Sequence, residues 1–137
     1  MIGIVIVAHG GLAREYLAAV EHVVGKQDHI RAISIGAEDD RSAKQAEICD
    51  AADDVDSGDG VIVVTDMFGG SPSNLSLRAC GMSQRRIVYG ANLPMLIKLA
   101  KCRACPVDVA AAKAMEAGRK YIDSYIVSSD ACTAWSA

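Results

Sequence analysis

Two apolar segments of the chain each end on a side chain that can do chemistry, and a pair of glycines follows closely in both. They are residues 2–11 (IGIVIVAHGG), with His9, and residues 60–72 (GVIVVTDMFGGSP), with Asp66. Short runs rich in β-branched residues are typical of strands buried on both faces. Open parallel sheets bind ligands at the carboxyl ends of their strands. If the two strands are neighbours, imidazole and carboxylate meet at that edge.

A histidine beside a carboxylate is suited to accept a phosphoryl group. The carboxylate binds one ring N–H, which fixes the tautomer and leaves the other nitrogen as a nucleophile. Glycine turns and helix starts offer backbone N–H groups to phosphate oxygens, and a serine hydroxyl adds a further donor. We therefore expect His9 and Asp66 to be the reacting pair. The expected anion pocket comprises Gly10, Gly11, Gly69, Gly70 and Ser71.

Composition narrows the class of protein. The 137 residues fit one domain, and a hydrophobic fraction of 51 % with only 4 % aromatics suits a parallel sheet covered by helices. A net charge of −3 with no basic block argues against nucleic acid as a partner. No apolar run approaches the roughly 20 residues of a membrane span, so no membrane insertion is expected. The five scattered cysteines suit free thiols in a reducing cytoplasm.

Strand-like and helix-like segments alternate along the chain. We predict a three-layer α/β/α fold with a mainly parallel sheet of four strands and one further, C-terminal strand at Tyr125–Val127. The predicted strands end near residues 9, 35, 66 and 89. The predicted helices cover residues 12–24, 40–55, 71–81 (with Ser71 as N-cap), 92–105 and 108–121. The domain is expected to span residues 1–128, followed by a flexible tail at 129–137.

The remaining candidate ligands carry weaker signals. His22 and His29 are expected on the surface. Cys102 and Cys105 have the spacing of a metal pair, but no second Cys or His pair completes a tetrahedral site. We therefore expect neither a metal nor a cofactor.

Three motifs together, at residues 4–11, 66–74 and 90–96, resemble the mannose-family enzyme IIA domain of the bacterial phosphoenolpyruvate-dependent sugar phosphotransferase system. The resemblance covers roughly residues 2 to 127. It implies that His9 is phosphorylated and that Asp66 is its hydrogen-bond partner. It also implies a phosphate-binding loop and a loop that closes the far side of the site. The first comprises Phe68, Gly69, Gly70 and Ser71, and the second contains Asn92 and Pro94.

The same resemblance implies partners. Members of this family take phosphate from the carrier HPr, pass it to a IIB domain, and form homodimers by exchanging a C-terminal strand. Because this chain ends without the linker that joins IIA to IIB in many members, we expect the acceptor to be a separate IIB protein or a regulatory target.

Two other classes of protein share parts of the pattern. Tetrapyrrole metal chelatases also end a first strand in His-Gly, but they need further ligands in the later half, and all three histidines here precede Ile30. Non-catalytic regulatory modules of the receiver type carry an aspartate where Asp66 lies. They also need an acidic pair after the first strand to bind Mg²⁺, and His9 occupies that place.

Overall fold

The computed structural model describes residues 1–67, 71–77, 79–81 and 84–127. Strands and helices alternate through most of this part of the chain. The strands are β1 (Gly3–His9), β2 (Ile30–Ile35), β3 (Val61–Thr65) and β4 (Arg85–Tyr89). The helices are α1 (Leu12–Val24), α2 (Arg41–Val55), α3 (Ser71–Ser76), α4 (Leu93–Lys101) and α5 (Val107–Lys120).

The four strands form one parallel sheet in the order β2-β1-β3-β4. In this register His9 lies beside Ile35 of β2, and Val7 lies beside Thr65 of β3. The carboxyl ends of β1 and β3 are therefore adjacent. This adjacency is the condition under which the sequence predicts a site between the two strands.

Helices cover both faces of the sheet, so the predicted three-layer architecture is confirmed. One hydrophobic core joins alternate residues of β1, β3 and β4 to α1, α4 and α5. The other joins the remaining residues of β1 and β3, and much of β2, to α2 and the α3 region. Since both of their faces are buried, the central strands β1 and β3 carry nearly continuous apolar runs. None of the described helices is long and apolar enough to cross a membrane.

The amino-terminal edge of the sheet is fixed by one buried side chain. The Arg103 guanidinium donates to the carbonyl oxygens of Ile2 at 2.9 Å, Asp28 at 2.5 Å and His29 at 3.0 Å. Its planar group matches three acceptors at once, which a lysine does not do. This interaction joins the residues before β1 and β2 to the end of α4, at the opposite edge from His9.

Two predicted helices end earlier than expected. Helix α3 ends at Ser76 rather than at Gly81, because the chain continues in turns with the Cys80 N–H bonded to the Leu77 carbonyl at 3.2 Å. Ser71 is itself the first residue of α3 rather than a residue before it. Helix α4 ends at Lys101, with Cys102 as its C-cap.

The C-terminal part of the chain also differs from expectation. Tyr125–Val127 belong to no strand within this chain, and Ile126 is 94 % exposed. Within the described residues, none of the four strands pairs with this segment. The predicted tail at 129–137 lies outside the described residues.

Candidate functional site

His9 and Asp66 meet at the carboxyl edge of the sheet. The Nδ1 atom of His9 lies 2.8 Å from Oδ2 of Asp66. The backbone N–H of His9 donates to the same oxygen at 3.0 Å. One carboxylate oxygen therefore fixes both the backbone and the ring of the histidine. The imidazole is 49 % exposed and the carboxylate 12 % exposed, so the ring is reachable while its partner is covered.

The surroundings of Asp66 set the tautomer of His9. Burial by itself raises the pKa of the Asp66 carboxyl, but hydrogen bonds from the His9 backbone and ring outweigh it and lower the pKa below its ordinary value. An ionised carboxylate only accepts hydrogen bonds, so Nδ1 carries the proton. In the neutral imidazole, the lone pair then lies on Nε2.

The two glycines after His9 have different surroundings. Gly10 adopts a φ of 56°, in the left-handed region that glycine tolerates best, and this turns the chain away from β1. Its N–H donates to the Ile35 carbonyl at 3.0 Å. The sequence predicted this amide as a donor to an anion, but in the structure it is used in the bond to Ile35. Gly11 is the N-cap of α1. It has no side chain that could accept a hydrogen bond from the first N–H groups of this helix.

Ser71 lies on the wall of a small cavity at this edge. The cavity has a volume of about 250 Å³, and Ser71 borders it together with Ile35, Gly36 and Leu75. The predicted donors Phe68, Gly69 and Gly70 lie outside the described residues, so their roles stay predictions.

Asn92 and Pro94 have structural surroundings. Asn92 Oδ1 accepts the Met95 N–H at 3.0 Å and caps α4, while its Nδ2 donates to the Gly118 carbonyl at 2.9 Å. Pro94 lies in the first turn of α4. The preceding loop is held to α1 by the Tyr16 hydroxyl, which donates to the Ala91 carbonyl at 3.1 Å. Closure of the site by Asn92 and Pro94 stays a prediction.

The sequence analysis missed two basic residues at the site. Arg41 and Lys44 of α2 line the same cavity as Ser71. A signal was present, because Arg41 follows the end of β2 by six residues, and all carboxyl ends of a parallel sheet share one edge. His22 and His29 are exposed, as predicted, and neither contacts this edge.

Side chains that could bind a metal ion do not cluster in the described part of the chain. It contains no group of three or more His, Cys, Asp or Glu side chains placed to hold a metal ion. Its four cysteines are free thiols, and Cys105 follows the C-cap of α4 with its N–H bonded to the Cys102 carbonyl at 3.1 Å.

Comparison with known proteins identifies the family. The family model EIIA-man, described as PTS system fructose IIA component, matches residues 3–116. The chain is 33 % identical over 104 residues to the putative phosphotransferase enzyme IIA component YadI of Escherichia coli K12, covering 75 % of this chain and 71 % of that protein. It is 28 % identical over 122 residues to the mannose-specific EIIAB component of the same organism, covering 87 % of this chain but 38 % of that protein.

A solved structure agrees with these sequences. The chain is similar to the mannose/sorbose specific IIA subunit of the phosphotransferase system from Enterococcus faecalis, with a TM-score of 0.82 and 29 % identity over 93 % of this chain and 96 % of that one. The matched family model spans most of the chain and both halves of the His9–Asp66 pair. The chain therefore belongs to the mannose-type IIA family of the bacterial sugar phosphotransferase system.

Proposed function

We propose that this chain is a cytoplasmic phosphohistidine carrier, in which His9 accepts a phosphoryl group from phosphorylated HPr and passes it to a IIB component or a regulatory target. The observation that carries the proposal is the 2.8 Å contact between His9 Nδ1 and Asp66 Oδ2. It leaves Nε2 as the free nucleophile of a half-exposed ring.

The transfer exchanges one nitrogen–phosphorus bond for another. The Nε2 lone pair of His9 attacks phosphorus, the bond from phosphorus to the donor imidazole breaks, and its electron pair returns to that imidazole. The proton on Nδ1 stays in the hydrogen bond to Asp66. Since the donor and the product are both phosphohistidines, the step is nearly neutral in energy. It needs alignment and charge stabilisation more than acid–base catalysis.

Asp66 contributes orientation and charge. As the ring becomes phosphorylated, it gains imidazolium character, and the carboxylate beside Nδ1 stabilises this positive charge. The lowered pKa of Asp66 keeps the carboxylate ionised at neutral pH. The start of α1, which follows His9 directly, adds backbone dipoles that favour the incoming negative charge.

We propose in addition that two copies of the chain associate through their C-terminal residues. In the described part of the chain, β4 pairs with β3 on one side and leaves its other edge open. Nearby, Ile122, Ile126 and Val127 are exposed by 75 %, 94 % and 62 %. An open strand edge next to exposed apolar residues favours pairing with the same segment of a second copy.

His9→Ala tests the acceptor. Incubation of the wild type with phosphoenolpyruvate, enzyme I and HPr is expected to give one acid-labile phosphate per chain, measured by mass spectrometry. The His9→Ala protein is expected to take up none. His22→Ala and His29→Asn, which alter the two exposed histidines, serve as controls and keep full labelling. Label that persists in His9→Ala, or an acid-stable phosphate on the wild type, would refute the assignment.

Asp66→Asn tests the orienting carboxylate. The amide keeps the shape, and its oxygen can still accept the His9 backbone N–H, but the negative charge beside Nδ1 is lost. ¹⁵N NMR of His9 shows which ring nitrogen carries the proton in the variant. Uptake of phosphate from HPr is expected to slow at least about tenfold, since the analogous change in hydrolytic triads costs about 10⁴-fold. An unaltered rate would show that the charge of Asp66 does not control the reaction.

Truncation tests the association. The full chain is expected to be a dimer at micromolar concentration by light scattering, and a chain truncated before Ser124 is expected to be a monomer with an unchanged circular dichroism spectrum. A monomeric full chain would contradict the proposal, as would a dimer that survives the truncation.

A further inference from the structure

The cavity beside Ser71 is one strand away from His9. Ile35, on the cavity wall, lies beside His9 in the register of β1 and β2, and its carbonyl accepts the Gly10 N–H. Neighbouring strands are about 4.8 Å apart. The cavity wall at Ile35 therefore lies about one strand spacing from His9.

The orientation of the ring turns its reactive nitrogen away from β3. Nδ1 of His9 is bonded to Asp66, which follows β3, and β3 lies on one side of β1. Strand β2, whose last residue Ile35 borders the cavity, lies on the other side of β1. Nε2 occupies the ring edge turned away from Asp66.

Two cations of α2 border this cavity. Lys44 is 84 % covered and lies 2.8 Å from Glu47 and 3.7 Å from Asp39. The hydrogen bond to Glu47 raises the pKa of Lys44, so it stays protonated. Arg41 is exposed and forms no ion pair with the described residues. Asp39 also borders the cavity, but its carboxylate accepts the Gly36 N–H at 2.6 Å. Among the residues that line the cavity, the two cations outnumber the one carboxylate, Asp39.

The stability of α2 does not account for Arg41. The macrodipole of a helix disfavours positive charge in the first turn, and α2 has Arg41 as its first residue and no acidic residue in that turn. Asp40, before the helix, is used as the cap and accepts the Ser42 N–H at 3.0 Å. Residues that oppose the local preference of their helix in this way concentrate at functional sites.

We propose that Arg41 and Lys44 bind the oxygen atoms of the phosphoryl group carried on Nε2 of His9. This inference rests on the proposed function. It adds side-chain cations to a site whose expected donors are backbone amides and one hydroxyl. Arg41 supplies a free guanidinium, and Lys44 turns from its carboxylate partners toward the bound phosphoryl group.

Phosphoramidate separates this role from docking of a carrier protein. Nε2 of His9 attacks the phosphorus atom of phosphoramidate. The phosphorus–nitrogen bond of phosphoramidate breaks, and its electron pair leaves with ammonia. We expect Arg41→Gln and Lys44→Gln each to slow uptake from phosphoramidate roughly threefold to tenfold, because each variant removes one charge-assisted hydrogen bond that is only partly formed while the phosphoryl group is in transit. Lys44→Arg is expected to retain most of the rate. Lys26→Gln, which removes an exposed charge at the opposite edge of the sheet, is the matched control.

A titration gives a readout that a structural role would not change. Cations near the phosphoryl group favour its dianion, so each variant is expected to raise the ³¹P titration midpoint of the phosphoprotein by on the order of half a pH unit. Unchanged rates and midpoints in labelled variants would overturn the inference. Slower uptake from HPr with unchanged uptake from phosphoramidate would also overturn the inference, because that result would assign the two cations to the docking of HPr. A wild type that takes no phosphate would refute the proposed function itself.

Discussion

The site depends on one carboxylate oxygen. Oδ2 of Asp66 accepts both the backbone N–H and the ring N–H of His9, so the position and the tautomer of the histidine are fixed together. Both bonds require β1 and β3 to be adjacent and parallel, with their ends level at the same edge. The sheet order and the turn at Gly10 are therefore conditions of the proposed chemistry. A one-residue slip between β1 and β3 would separate the pair.

Charge at this edge is distributed between two sides of the ring. On the side of β3, we propose that the ionised Asp66 stabilises positive charge on the imidazole. On the side of β2, we propose that Arg41 and Lys44 stabilise negative charge on the phosphoryl group. The two buried cores hold these elements rigidly, and Arg103 fixes the opposite edge of the sheet. Such preorganisation suits a transfer with little energy to gain, since charges already in place need no reorganisation during the step.

Much of this arrangement is predictable from the sequence, because long apolar runs and glycine turns mark the strands and their ends. Two buried strands ending alike predict that His9 and Asp66 meet if the strands are neighbours, and the strand order β2-β1-β3-β4 meets that condition. The early end of α3 after Ser76 does not follow, because the turn at Ala79 depends on a hydrogen bond from Arg85, a residue of β4, to the Ala79 carbonyl at 2.9 Å. The cations of α2 were not predicted because the cavity that they share with Ile35, the neighbour of His9, results from strand order rather than from spacing along the chain.

The point of attachment of the phosphoryl group tests the central claim most directly. The claim is that Asp66 holds the proton on Nδ1 and leaves Nε2 of His9 to react. We expect ¹H–¹⁵N NMR of the phosphorylated protein, with ¹⁵N–³¹P couplings, to show the phosphoryl group on Nε2 and a protonated Nδ1 in a hydrogen bond. A phosphoryl group on Nδ1, where it would displace the bond to Asp66, or on any other residue, would contradict the account.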